Sequence, residues 1–341
     1  MPPAPRPAPL AALLLILAAG LCAFPWPLFS PAMARYQIEL GLALGVVLAL
    51  AGLVRSGPVA RRAAALVIQA CVVLLGLRMD LGKVAHAGMA GLAFAAATIS
   101  GVFVLGWVLG RLLRTEGVIS TLLSSGTAIC GGSAIAAVGS VIGAGPAQMS
   151  VATATVFILN GVGLYVFPLL GHRFGLSPEQ FGTWAGIAIH DVSSVVGAAQ
   201  SYGHDAAATA LATETATVVK LSRVIWIGPI CILAAWRIGR SAAADSEARF
   251  PAAYLPVPWF IVLFAISAGA RTIWGPHIAP ADPTILLVSR CGMALALFLI
   301  GAGLSRAALL SVGWRPLLQG VLMWIALGAA ALIAVRSTVQ P

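Results

Sequence analysis

Six side chains able to do chemistry stand in surroundings that are otherwise apolar: Cys130, His190, Asp191, Glu214, Lys220 and Arg223. A charge inside a membrane-depth segment costs roughly 2.5–3.5 kcal/mol on insertion scales and usually marks function. His190 and Asp191 are adjacent, so an imidazole and a carboxylate can share and pass on a proton. That makes Asp191 a candidate carrier of a coupling proton; the plainer role for the same carboxylate is a cap on the start of a helix. Lys220 and Arg223 are i, i+3 neighbours on one helix face, placed either to hold an anion or to snorkel to an interface. Glu214 precedes Lys220 by six residues, so the two point apart on one helix and Glu214 is expected to pair with another segment. Arg290 opens its apolar segment and reads as interfacial.

These residues belong to two related stretches at a constant offset of 60 positions. Residues 126–155 read GTAICGGSAIAAVGSVIGAGPAQMSVATAT and residues 186–215 read GIAIHDVSSVVGAAQSYGHDAAATALATET. Without a gap, Gly126 falls on Gly186, Ile129 on Ile189, Ser133 on Ser193, Gly143 on Gly203 and Thr155 on Thr215. This is read as a duplication. In the same register Cys130 falls on His190 and Gly131 on Asp191. The centres of both copies are poor helix formers, and interrupted backbone at membrane depth survives only where it lines a protein-enclosed cavity. Paired interrupted segments point to a secondary-transporter site, and half-helix N-termini favour anions. The bland alternative, small residues that merely let helices pack closely, explains Gly139 and Gly143 but not the His-Asp pair. The candidate site is therefore Ser125, Gly126, Thr127, Cys130, Gly131, Gly132 and Ser133 from the first copy. His190, Asp191, Ser193 and Ser194 come from the second, with Glu214, Lys220 and Arg223 beside them. The two breaks are expected to face each other.

The elements that must position this site are membrane helices. Hydrophobic residues make up 60% of 341 positions and charged residues 9%, far below the roughly one quarter that covers a soluble domain, and mean hydropathy is +1.00. The chain is read as an all-α polytopic membrane protein with about eleven hydrophobic segments in a single transmembrane domain over residues 1–341. They lie near 10–29, 37–54, 62–79, 88–110, 117–144, 150–170, 180–203, 206–236, 255–273, 284–305 and 314–335. Core elements fall around 117–236, followed by a polar cytoplasmic linker, 237–250. The two interrupted segments are either broken spans, and then parallel, or re-entrant hairpins, and then inverted. The first segment resembles a signal peptide, but Phe24-Pro25-Trp26-Pro27 follows it in place of a small-residue cleavage site, so a retained helix is expected. Counting basic residues by alternating loops gives twelve on the N-terminal side, Arg173 among them, against five, which puts the N-terminus in the cytoplasm.

The net charge of +10 comes from isolated or paired arginines rather than a run, which excludes nucleic-acid binding. The five cysteines form no CxxC pair, so neither a disulfide framework nor a zinc site is indicated. No GxxxxGK[ST] sequence is present to bind ATP.

GTAICGGSAIAA (126–137), GIAIHD (186–191), TATVVKLSRV (215–224), LFLIGAGLS (297–305) and LLGLRMDL (74–81) resemble the YeiH-type sulfate exporter family. The GAS usual after the cysteine is Gly131-Gly132-Ser133 here, and Val195 and Val196 thin the polar lining after Ser193 and Ser194. The resemblance implies a bacterial inner-membrane protein related to the bile acid/sodium symporter and sodium/proton antiporter superfamily. It also implies a core with interrupted helices, a flatter scaffold and a homodimer. The expectation is a secondary transporter, not an enzyme, exporting a small anion such as sulfate or an organosulfur compound. It would need no cofactor beyond a coupling H+ or Na+. The alternatives are a cation/proton antiporter using Asp191, an intramembrane enzyme in which Cys130 meets His190, and a sensor or scaffold without transport.

Overall fold

The structure, a computed structural model, describes residues 8–25, 31–54, 58–79, 81–242, 259–303 and 312–339. Part of the linker (243–250), Trp26-Pro27 and residues 80, 304 and 305 of the family motifs lie outside the described residues. All regular structure among the described residues is helical. The α-helices are α1 (Ala8–Ala23), α2 (Pro31–Leu50), α3 (Pro58–Gly76), α4 (Leu81–Leu112), α5 (Gly117–Ala128), α6 (Gly132–Val141) and α7 (Pro146–Arg173). They continue as α8 (Pro178–Ala188), α9 (Val192–Tyr202), α10 (Ala206–Val224), α11 (Ile227–Ala242), α12 (Trp259–Ile278), α13 (Asp282–Gly301) and α14 (Trp314–Thr338). Five helical stretches, 94–112, 147–173, 206–234, 262–301 and 314–338, are long and apolar enough to cross a membrane.

The segments expected at 117–144 and 180–203 are each two short helices folded back on one another. A Cβ placed on Gly126 would stand 2.9 Å from Ile135 Cδ1, and one on Gly139 3.4 Å from Leu122 Cδ2. Residues pair in reverse order, so α5 and α6 form an antiparallel hairpin. The second pair does the same. Cβ atoms on Gly182 and Gly186 would lie 2.6 Å from the Ala212 carbonyl oxygen and 2.9 Å from that of Ala216, which makes α8 parallel to α10. The intervening α9 therefore runs back, and its last residue, Tyr202, stacks on Phe181 near the start of α8 at 3.8 Å.

Between the hairpins lies α7, whose 28 residues span about 42 Å, enough for a full crossing. The first hairpin lies beside the start of α7, where Gly139 faces Met149. The second lies beside its finish, where Gly171 faces Phe181 and Tyr202. The hairpins thus enter from opposite ends and are inverted. The end where α7 starts is called the near end below, and the other the far end. One count changes: Arg173 finishes α7 at the far end, beside Arg336, which donates to the Phe174 carbonyl. The hairpins reverse the chain where the loop count assumed crossings.

Local chemistry starts the far-end helices. Ser177 caps α8 together with Pro178 and Gln180, and Asp205 caps α10 by accepting from Ala208 N–H at 2.8 Å. α14 runs past both hairpins. Gln319 donates to Ser120 Oγ at 2.7 Å and to the Gly106 carbonyl at 2.9 Å, while Trp184 Nε1 donates to the Gly328 carbonyl at 2.8 Å. On the other flank α1, α2, α3, α12 and α13 pack on one another, with Arg271 gripping Asp282 through two 3.0 Å bonds. This group meets the second hairpin where α2 and α13 touch α9. There Arg290 is half-buried and donates to the Gln200 carbonyl at 3.0 Å, bridging two helices instead of lying free at an interface.

Candidate functional site

Each hairpin turns on three residues: Ile129-Cys130-Gly131 and Ile189-His190-Asp191. The two turns meet. A Cβ on Gly131 would lie 3.4 Å from Asp191 Cβ and 3.6 Å from His190 Cβ. Gly131 has φ 66 and ψ −125, a conformation open only to glycine at low cost, and it lets the first turn close against the second.

Asp191 opens α9 with extended backbone (φ −114, ψ 150). Its carboxylate accepts from Ser193 N–H at 2.8 Å and Ser194 N–H at 3.4 Å, as a helix cap does. It also accepts from Ser193 Oγ (2.7 Å), Ser194 Oγ (2.9 Å) and Asn160 Nδ2 of α7 (3.4 Å). Asn160 Oδ1 in turn accepts from the His190 backbone N–H at 3.2 Å. Asn160 was not among the residues singled out from the sequence, although it is the one carboxamide in an otherwise apolar 150–170.

Behind the turns stands α10. Lys220 is fully buried and donates from Nζ to the Ile189 carbonyl at 2.5 Å, where α8 ends. Arg223 is 1% exposed; its Nε donates to the Ala128 carbonyl at 3.1 Å, where α5 ends, and Nη2 donates to the same oxygen. Nη1 donates to Thr98 Oγ1 of α4 at 2.8 Å. Carbonyls at a helix C-terminus lack intrahelical partners and carry partial negative charge. One cation answers each broken end. Lys220 and Arg223 are both buried against the hairpin turns rather than snorkelling to an interface, and their hydrogen bonds tie α10 to those turns.

The remaining candidates divide by position. Gly132 and Ser133 begin α6, which has no acidic residue in its first turn, and Ser133 is exposed although it lies at the meeting of the turns. Cys130 is buried, its sulfur against the Ala134 N–H and the Ser133 side chain. His190 is 1% exposed, and both of its ring nitrogens lack a hydrogen-bond partner, Cys130 included. Its ring lies 6.3 Å from that of Trp324, whose Nε1 is also unpartnered. Thr127 Oγ1 is buried without a partner as well. Ser125 returns its hydroxyl to the Leu122 carbonyl at 2.8 Å, and Gly126 packs between the arms on Ile135 and Val156. Both belong to the hairpin's packing rather than its turn. Glu214 is half-buried on α10, about 9 Å along the axis before Lys220.

Residues 10–320 match the family described as conserved hypothetical protein 698. The chain belongs to that family. It is 39% identical to a UPF0324 membrane protein of Bdellovibrio bacteriovorus over 94% of this chain and 92% of the relative. It is also 39% identical to one of Geobacter sulfurreducens, over 93% and 94%. A UPF0324 membrane protein of Bacteroides thetaiotaomicron is 40% identical over 78% of this chain and 76% of its own length. No solved structure matches the chain. This member of the UPF0324 family is a membrane protein with several spanning helices.

Proposed function

We propose that this UPF0324 protein is a secondary transporter that binds a small anion, sulfate or an organosulfur compound, where the two hairpin turns meet. The observation that carries the reading is the start of α6. There a helix N-terminus without an acidic residue, with Ser133 exposed, lies against the half-buried Asp191. Helix N–H groups favour an anion, and Asp191 is the carboxylate proposed to carry a coupling proton together with it. The likeness to YeiH-type sulfate exporters agrees with this reading, as does an inner-membrane location with the near end, which carries Arg111 and Arg114, in the cytoplasm.

Sulfate flux into proteoliposomes under an imposed proton gradient tests it. Wild-type flux is expected to follow the gradient, and Asp191→Asn, which keeps the cap, is expected to move sulfate independently of pH. Wild-type protein that moves neither sulfate nor small organosulfonates would overturn the reading.

One observation favours a cation exchanger as second reading. Asp191, Ser193 and Ser194 gather side-chain oxygens of the kind that bind hard cations. Sodium flux without sulfate flux would select it. The enzyme reading has no such support, because Cys130 and His190 make no nucleophile–base contact.

A further inference from the structure

A groove of about 1000 Å3 lies away from the hairpin turns, between α4, the first hairpin and α11. Phe103 and Trp107 of α4 face Ile230 and Leu233 of α11 across it, Val138 of α6 lies between them, and Arg111 stands at its near end. Trp107 is 60% exposed and Leu233 46%, so the groove opens sideways. It does so along 94–112, a stretch apolar enough to cross the membrane.

A concavity that faces hydrocarbon does not stay empty, and water fills one only where several polar groups hold it. The hydroxyls of Ser120, Ser124 and Thr121 are already engaged, and Thr115 Oγ1, the buried hydroxyl on the groove's walls without a partner, does not by itself make a polar cluster. Ser120 Oγ donates to the Gly106 carbonyl at 3.0 Å and Ser124 Oγ to the Ser120 carbonyl at 2.8 Å. Hydrocarbon is therefore the filling the walls select. If a methylene occupies the ~30 Å3 of a liquid water, the groove holds on the order of thirty of them, the two chains of one phospholipid.

The near end adds charge. The Arg111 guanidinium lies 4.3 Å over the Trp107 ring, one turn beyond an indole at the level where aromatic belts give way to head groups. Arg114 is exposed at the same end. The neighbouring carboxylate, Glu116, is engaged by the Gln148 side chain. We propose that this groove is a site for one anionic phospholipid, its acyl chains along α4 and its phosphate against Arg111. Both arms of the first hairpin line the groove, so the lipid braces that hairpin against α11.

Native mass spectrometry of the full chain in detergent tests the site, using phosphatidylglycerol and phosphatidylcholine with identical acyl chains. Wild-type protein is expected to retain phosphatidylglycerol about fivefold more strongly, the effect of one basic residue at an anionic surface. Arg111→Gln, at an exposed position, should erase that preference. Leu233→Trp should lower retention of both lipids by filling the groove, and Arg173→Gln at the far end should change neither. Equal retention of the two lipids by wild type would overturn the proposal. So would a preference that survives Arg111→Gln or is lost equally in Arg173→Gln. Displacement of phosphatidylglycerol by sulfate would give the groove to a small anion instead.

Discussion

In the first hairpin the turn is Ile129-Cys130-Gly131, and in the second, sixty residues on, it is Ile189-His190-Asp191. The arms before the turns end alike. A carbonyl at each break is held by a buried cation: that of Ala128, the last residue of α5, by Arg223, and that of Ile189, the first turn residue after α8, by Lys220. The arms after the turns begin differently. α9 starts on a carboxylate held by five donor groups, whereas α6 starts on a glycine with φ 66 and exposes Ser133. The negative helix ends are answered by the protein itself in both hairpins. A positive end is answered by a carboxylate only in the second; in the first the Cys130 sulfur lies against the Ala134 N–H. What is shared holds the turns together, and what is unshared, a helix start without a carboxylate, is where the anion is proposed to bind.

The largest expected effect breaks the shared part. Arg223→Met removes three hydrogen bonds that join α10 to α5 and α4, at a cost on the order of 3 kcal/mol. Lys220→Met removes one and should cost about 1–2 kcal/mol. Thermal unfolding of the purified protein should rank them in that order, and equal shifts would mean that the two cations brace their turns equally.

A smaller effect compares glycines that the repeat aligns. A Cβ on Gly186 would lie 2.9 Å from the Ala216 backbone oxygen, which can move only if α8 and α10 separate. One on Gly126 would lie 2.9 Å from Ile135 Cδ1, which can rotate away. Gly186→Ala is expected to cost about 2 kcal/mol and Gly126→Ala about 1 kcal/mol or less. The reverse order in the same unfolding assay would make the first hairpin the more tightly wedged.

The smallest effect sharpens the contrast at the helix starts. Asp191→Asn keeps an acceptor for the Ser193 and Ser194 N–H groups, so stability should change by less than about 0.5 kcal/mol, whereas Asp191→Ala should lose about 1 kcal/mol. A loss in Asn as large as in Ala would show that charge, rather than capping, holds the turn.

The helix breaks and most of the turn residues were legible in the sequence because helix-breaking residues sit at fixed offsets: Gly131-Gly132-Ser133 against Asp191-Val192-Ser193. Asn160 was legible in principle, as a lone carboxamide in an apolar crossing. The role of Asp191 as a cap was read as one of two alternatives, and its contacts show the capping geometry. Lys220 and Arg223 were found by their types and shared face, but not their partners. Those partners are backbone carbonyls, which every residue has and no residue type announces.

By itself the sequence determined that the chain is helical and membrane-embedded, and where two of its segments break, because hydropathy and the backbone's need for partners in lipid are local properties. Only the tertiary structure decided that the chain turns back at each break. An apolar segment interrupted by glycine has the same hydropathy whether its second half continues or returns. The choice is made by long-range packing: Gly126 against Ile135, α8 laid parallel on α10, and cations one turn apart that draw both turns to the same depth.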